Sequence, residues 1–118
     1  MNGPAKYGAI VYSKDIGRLA KFYIGFFGMV LLKETEQLIS LGKDGFNIVI
    51  HVPPVEISGE NFGSVKLFLT VDNLALAKDS VESFGGKSLP GEWSNPIFKV
   101  CNIVDPDGNH VQLREFSP

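Results

Sequence analysis

The feature that most constrains the fold of this chain is an internal match between its two halves. A short, apolar, β-rich run, Tyr7–Tyr12, reads as a strand. Asp15 follows at a helix N-cap, where its carboxylate can accept an orphan backbone N–H. Ile16, Leu19, Phe22, Tyr23, Phe26 and Phe27 then recur at spacings of three and four, which gives one apolar helix face, and Gly28 supplies the left-handed stop. The same order returns downstream: a strand over 64–71, Asn73 as N-cap, the stripe Leu74, Ala77, Val81 and Phe84, and Gly85-Gly86 as terminator. Asp15 to Gly28 is thirteen positions, and so is Asn73 to Gly86.

The halves also end alike. Runs 29–36, 38–42 and 46–52 read as three strands, the last two joined by a tight turn at Lys43-Asp44-Gly45, with Pro53-Pro54 stopping the third. In the second half, 87–96 reads as one short strand and a loop. A strand over 97–104, a turn at Asp105-Pro106-Asp107-Gly108 and a final strand over 110–116 follow. Asp44-Gly45 thus matches Asp107-Gly108, and Ile48 and Ile50 match Val111 and Leu113. The period exceeds that of the common solenoids, so the pattern is a duplication with pseudo-twofold symmetry. The expected organisation is a single α+β domain over 1–118, with module one at 7–54, a polar linker at 55–63 and module two at 64–116.

Composition narrows the function classes. A chain of 118 residues, 44% hydrophobic and 20% charged, can bury a core. Its formal net charge of −2 gives no basic footprint for nucleic acid or an anionic membrane. No apolar run approaches the ~20 residues of a membrane helix, and 1–7 lacks a secretory pattern. Cys101 is the single cysteine, so no intrachain disulfide forms, which fits the cytoplasm. Within the apolar run 98–104 it reads as a small buried core residue rather than a nucleophile.

Alternation along strands assigns faces. Val111 and Leu113 point one way, under the helix, and His110, Gln112 and Arg114 point the other. In module one, Phe46, Ile48 and Ile50 pack inward, opposite Asn47, Val49 and His51, while Lys66, Phe68 and Thr70 share one face of the strand at 64–71. This polar and aromatic set reads equally as the lining of a small-molecule site or as a sheet face that meets solvent.

Asp15 before a helix carrying Phe22-Tyr23, then Phe27-Gly28-Met29, and later Asp105-Pro106-Asp107-Gly108-Asn109 before the last strand, resemble the vicinal oxygen chelate superfamily. This is the group of glyoxalases, bleomycin-resistance proteins and extradiol dioxygenases. The likeness runs over 7–116. It implies tandem βαβββ modules forming a curled mixed sheet around a cavity, which in many members is completed by a second subunit, so a homodimer is expected. In the enzymes of the superfamily a divalent metal is held by His, Glu or Gln from four strands. The corresponding positions here fall on Gly8, Val49, Lys66 and Gln112. Glycine and valine offer no donor, and lysine is a cation. His51 and His110 each lie one same-face step from a ligand position, so a displaced site joining them to Gln112 would sit ~6–7 Å along the strand.

The leading expectation is a metal-free binding protein, closest in character to the bleomycin-resistance branch, that holds a small molecule such as a drug or metabolite in a dimer cleft. His51, Lys66, Phe68, Trp93, His110, Gln112 and Arg114 are its candidate ligand-binding residues, with no catalytic residue, metal or cofactor assigned. Lys66 and Arg114 would offer positive charge, and Trp93, Phe68 and Tyr12 would stack on a planar ligand. Trp93, in a loop between Gly91 and Pro96, reads as a lid or as a loop anchor. The alternatives are a metal-dependent lyase, isomerase or dioxygenase, a non-catalytic accessory or immunity-type partner, and a metal-free enzyme using His51 or His110 as general base.

Overall fold

The computed structural model of the chain describes residues 5–53 and 64–118. Pro54 and the linker expected at 55–63 lie outside the described residues. The chain divides into two compact units, Met1–Val65 and Lys66–Pro118.

In the first unit, β1 (Gly8–Tyr12), α1 (Ile16–Phe27), β2 (Val30–Glu34), β3 (Leu38–Lys43) and β4 (Phe46–His51) follow in order. The strands lie in the order β2-β3-β4-β1. Pairing is antiparallel for β2 with β3 and β3 with β4, and parallel for β1 with β4. Asp15 caps α1 by accepting from Arg18 N at 3.1 Å. Gly28 ends the helix at φ 74 with its N–H donating to Ile24 O, a conformation that costs glycine nothing. The Lys43 ammonium donates to the Phe27 carbonyl, which would otherwise be one of the helix's orphan acceptors. Asp44 and Gly45 both have positive φ, as the tight hairpin between β3 and β4 requires. Ala20, Met29, Ile39, Leu41, Ile48 and Ile50 form the core, with Val11, Ile16, Leu19 and Tyr23 packed against it.

The second unit holds β5 (Val65–Thr70, whose first residue belongs to the first unit), α2 (Leu74–Ser80), β6 (Lys87–Ser88), β7 (Trp93–Ser94), β8 (Phe98–Val104) and β9 (His110–Phe116). The strand order is β5-β9-β8-β6, with β7 also paired to β8. Here too the first and last strands pair in parallel. Asn73 caps α2 through Leu76 N at 3.0 Å, as Asp15 caps α1. Leu74, Cys101, Val111 and Leu113 form the core, with Val71, Ala77 and Ile103 against it. Cys101 is fully buried, as its apolar run implied.

Several sequence expectations need correction. The apolar stripe of α1 does not all face the core. Phe22, Phe26 and Phe27 are exposed, because the inward arc is filled by Ile16, Leu19, Ala20 and Tyr23. The three phenylalanines pack on one another instead, with ring centroids 5.5 Å apart for Phe22–Phe26 and 4.9 Å for Phe26–Phe27. Phe46, expected inside, is 53% exposed at the start of β4. The second helix is shorter than its stripe. It gives way after Ser80 to a 3₁₀ turn, Val81–Phe84, and Phe84 is 80% exposed. The hydroxyls of Ser80 and Ser83 donate to the carbonyls of Leu76 and Ser80, a local alternative that loosens the helical ladder. Gly86 follows because a Cβ there would lie 2.5 Å from the Val104 carbonyl. The stretch 87–96 contains two short strands rather than one, so Trp93 is a strand residue.

The Asp105–Asn109 turn owes its form to one carboxylate. Asp105 Oδ1 accepts from Asp107 N at 3.0 Å and Asn109 N at 2.9 Å, and Asn109 Nδ2 donates to both carboxylate oxygens. The side-chain amide of Asn109, followed by the backbone donors, holds the Asp105 carboxyl below its ordinary value of 3.8. A carboxyl lowered on folding contributes stability above its unfolded value and loses that contribution as pH falls through the lower, folded one. Asp105→Ala is therefore expected to lower Tm at neutral pH. The gap to the wild type should close as the pH is taken below 3.8 in thermal melts.

Candidate functional site

The second unit carries the stronger candidate face, and strand register assembles it. In the β5–β9 pair Phe68 lies opposite Gln112 and Thr70 opposite Arg114. In the β8–β9 pair Phe98, Val100, Asn102 and Val104 lie opposite Phe116, Arg114, Gln112 and His110. Across β8, Trp93 pairs with Val100 and Lys87 with Val104. Directly paired residues share a face. One face of this sheet therefore gathers Lys66, Phe68, Trp93, His110, Gln112 and Arg114, six of the seven candidate residues.

Arg114 is the centre of the face. Its guanidinium carbon sits 3.9 Å from the Phe68 ring centroid and 4.9 Å from that of Phe98. Both are cation–π distances. Its Nε donates to Gln112 Oε1 at 2.8 Å, which orients the fork. Arg114 is 7% exposed, and burial pushes its pKa down to about 10, so it remains charged at neutral pH. Lys66 is half-buried and donates to Asn102 Oδ1 at 3.4 Å, and burial lowers its pKa as well. Phe68 is fully buried, so its ring serves as a platform for Arg114 rather than as a stacking surface for a ligand, which corrects the sequence expectation. Trp93 is 56% exposed, with its indole against Gly91.

His51 belongs to the first unit. The parallel β1–β4 register puts Gly8, Ile10 and Tyr12 on a face with Asn47, Val49 and His51. The His51 Nδ1–H donates to Val52 O at 2.7 Å, and Tyr12 meets the imidazole edge-on with centroids 6.2 Å apart. Burial raises the Tyr12 pKa. A separate cleft of about 320 Å³ in the same unit is lined by Tyr23, Phe27, Met29, Phe46 and Ile48, with Lys43 and Asp44. Sequence reasoning did not anticipate it. Its lining is mostly apolar and its ammonium already caps α1, which leaves the Asp44 carboxylate at its rim as the one charged group that could orient a ligand.

The metal implied by the superfamily does not fit these residues. Of the four corresponding positions, only Gln112 carries a neutral donor, and that oxygen already accepts from Arg114. A guanidinium beside it would repel a divalent cation. Among the described residues no group of three or more His, Cys, Asp or Glu could hold a metal ion. Asn102, Phe98 and Lys87 were not singled out from the sequence. The first two were findable by reflecting the β8–β9 hairpin across Asp105–Gly108, which sets Asn102 against Gln112 and Phe98 against Phe116.

No protein-family model matches the chain, and no curated protein matches it in sequence. Solved structures do. A glyoxalase/bleomycin resistance protein/dioxygenase superfamily member from Vibrio splendidus 12B01 matches at 17% identity and TM-score 0.68, over 95% of this chain and 98% of that one. A hypothetical protein from Bacillus halodurans C-125 matches at 14% identity and TM-score 0.74, over 94% and 93%. Methylmalonyl-CoA epimerase from Mycobacterium tuberculosis matches at 18% identity and TM-score 0.66, over 96% and 87%. Parallel closure of each unit, two capped helices and these likenesses together establish that the chain has the vicinal oxygen chelate fold.

Proposed function

We propose that the chain is a small-molecule-binding protein that uses the Arg114 face without a metal and works as a cytoplasmic homodimer. The observation that carries the reading is the Arg114–Gln112–Phe68–Phe98 assembly. A buried, charged guanidinium is costly to a fold, and two rings and an amide are arranged here to hold it in place. A ligand that uses the charge would account for that cost. Trp93, His110 and Lys66 on the same face supply an aromatic edge and further polar contacts. Gly8 and Val49 at two implied ligand positions argue against the metal-dependent lyase, isomerase or dioxygenase reading.

Support for a dimer comes from apolar surface. Phe22, Phe26, Phe27, Val30, Leu31, Leu32 and Phe46 are exposed in the first unit, and Val65, Leu67, Leu69, Leu76 and Phe84 are exposed along β5, α2 and its 3₁₀ extension. Among these, Phe22, Phe26 and Phe27 touch one another and so form a contiguous exposed apolar patch of the kind that marks an interface. Among the described residues no helix is long and apolar enough to cross a membrane.

One preparation tests metal independence and assembly together. Sedimentation equilibrium should return twice 12.9 kDa, and elemental analysis should find metal far below one equivalent, with Tm unchanged by chelation. A retained equivalent of metal, or a Tm that falls on chelation, would overturn the metal-free reading, and a monomer would overturn the dimer.

The cost of Arg114 gives a second expectation. Replacing a buried charge by an apolar side chain of similar length is often neutral or stabilising by about 1 kcal/mol or more. Arg114→Met should therefore hold or raise the urea midpoint while abolishing ligand-induced stabilisation. A loss of about 3 kcal/mol would assign Arg114 a structural role instead.

A further inference from the structure

Charge on the second unit's sheet is segregated by face. The same-face set holds Lys66, Lys87 and Arg114, with His110 at its edge. Among the described strand residues of this unit, the one carboxylate is Glu115, and it lies on the opposite face. There it accepts from Leu74 N at 2.7 Å at the start of α2 and approaches Lys99 at 4.0 Å. The unit's other carboxylates, Asp72, Asp79, Glu82, Glu92, Asp105 and Asp107, lie on α2, on its 3₁₀ extension or in loops. Thus a chain of net charge −2 presents one sheet face whose strand charges are all positive. Alternation allows such sorting but does not require it.

The aromatic groups on this face are arranged in two roles. Phe68 and Phe98 lie under and beside Arg114, and Trp93 stands 56% exposed two strands over, across β8. The first pair fixes a cation, and the indole leaves a flat apolar surface on the same face. Lys66 and Arg114 start four positions apart along β5 and β9, but their heads bond Asn102 and Gln112, which pair across β8 and β9, so an anionic group over that pair would meet two charges while a planar body reached toward Trp93. Partial burial makes those charges act more strongly than they would in bulk water. Asn102, which accepts from Lys66, and Gln112, which accepts from Arg114, keep both cations aimed across the face.

We infer that the ligand of this face is a planar organic anion, of which an aromatic carboxylate is the simplest case. The inference rests on the proposal that the Arg114 face is a binding site, and it names the chemistry of what binds there. It excludes cationic drugs, which would meet like charge, and it gives Lys87, at the far end of the face, a steering role. Lys66 is the residue that meets the anion, and Arg114 supplies the fixed charge beneath it.

The experiment uses three probes of one shape, 2-naphthoate, 2-naphthamide and 2-naphthylmethylammonium, titrated into the whole chain. Side-chain amide resonances of Gln112 and Asn102 and the indole N–H of Trp93, the chain's single tryptophan, report binding. 2-Naphthoate should bind about tenfold tighter than the amide, the gain of a charge-assisted over a neutral contact. That preference should shrink in Lys66→Met, shrink less in the exposed-site variant Lys87→Gln, and weaken with added salt. Equal binding of acid and amide, or tighter binding of the ammonium, overturns the anion inference and leaves the site in place. No shift from any probe at millimolar concentration, or shifts confined to the opposite face at Lys99 and Cys101, overturns the site itself. Lys87→Gln keeps the test valid if Lys66→Met does not fold.

Discussion

Parallel pairing between the first and last strand of each unit is the constraint on which the rest depends. A parallel pair needs a crossover, and here α1 or α2 and the intervening strands supply it. Closure of β5 on β9 brings two segments more than forty positions apart into one face, with Phe68 opposite Gln112 and Thr70 opposite Arg114. The helix-facing residues of the same strands, Val111 and Leu113, go into the core with Leu74 and Cys101. One register therefore decides both the packing and the candidate face, and a slip of one residue would exchange them.

On that face the fold holds a buried charge. Arg114 is buried between two rings, and its fork is oriented by an amide at the position where the superfamily would place a metal ligand. The charge is covalently fixed, and Lys66 on the same face adds a second.

Much of the fold was legible in the sequence because duplication doubles the signal. Asp15 and Asn73 as caps, Gly28 as terminator, Asp44-Gly45 as a hairpin and the faces of β4, β5 and β9 all follow from local chemistry, and the structure shows each. What failed was the step from apolar to buried. Phe22, Phe26, Phe27 and Phe84 satisfy helical periodicity and still face outward, because periodicity reports which residues share a side and not which side is covered, while Phe46 shares the side of buried Ile48 and Ile50 but stands at the open start of β4. Of the candidate face, Lys66, Gln112 and Arg114 were legible from alternation. Phe68 was assigned to the face correctly but to the wrong task, since sequence does not show that Arg114 folds over its ring. Phe98 and Asn102 were missed because cross-strand neighbours are fixed by register, and β8 was not reflected onto β9.

The most direct measurement on the central claim is the Arg114 Nε–Hε resonance. With its proton on Gln112 Oε1, it should exchange slowly at neutral pH in the ligand-free protein, and it should move when a planar carboxylate such as 2-naphthoate is added to saturation. An Arg114 resonance that exchanges as fast as that of an exposed arginine, or that stays in place while the ligand is demonstrably bound, would contradict a site organised around this guanidinium.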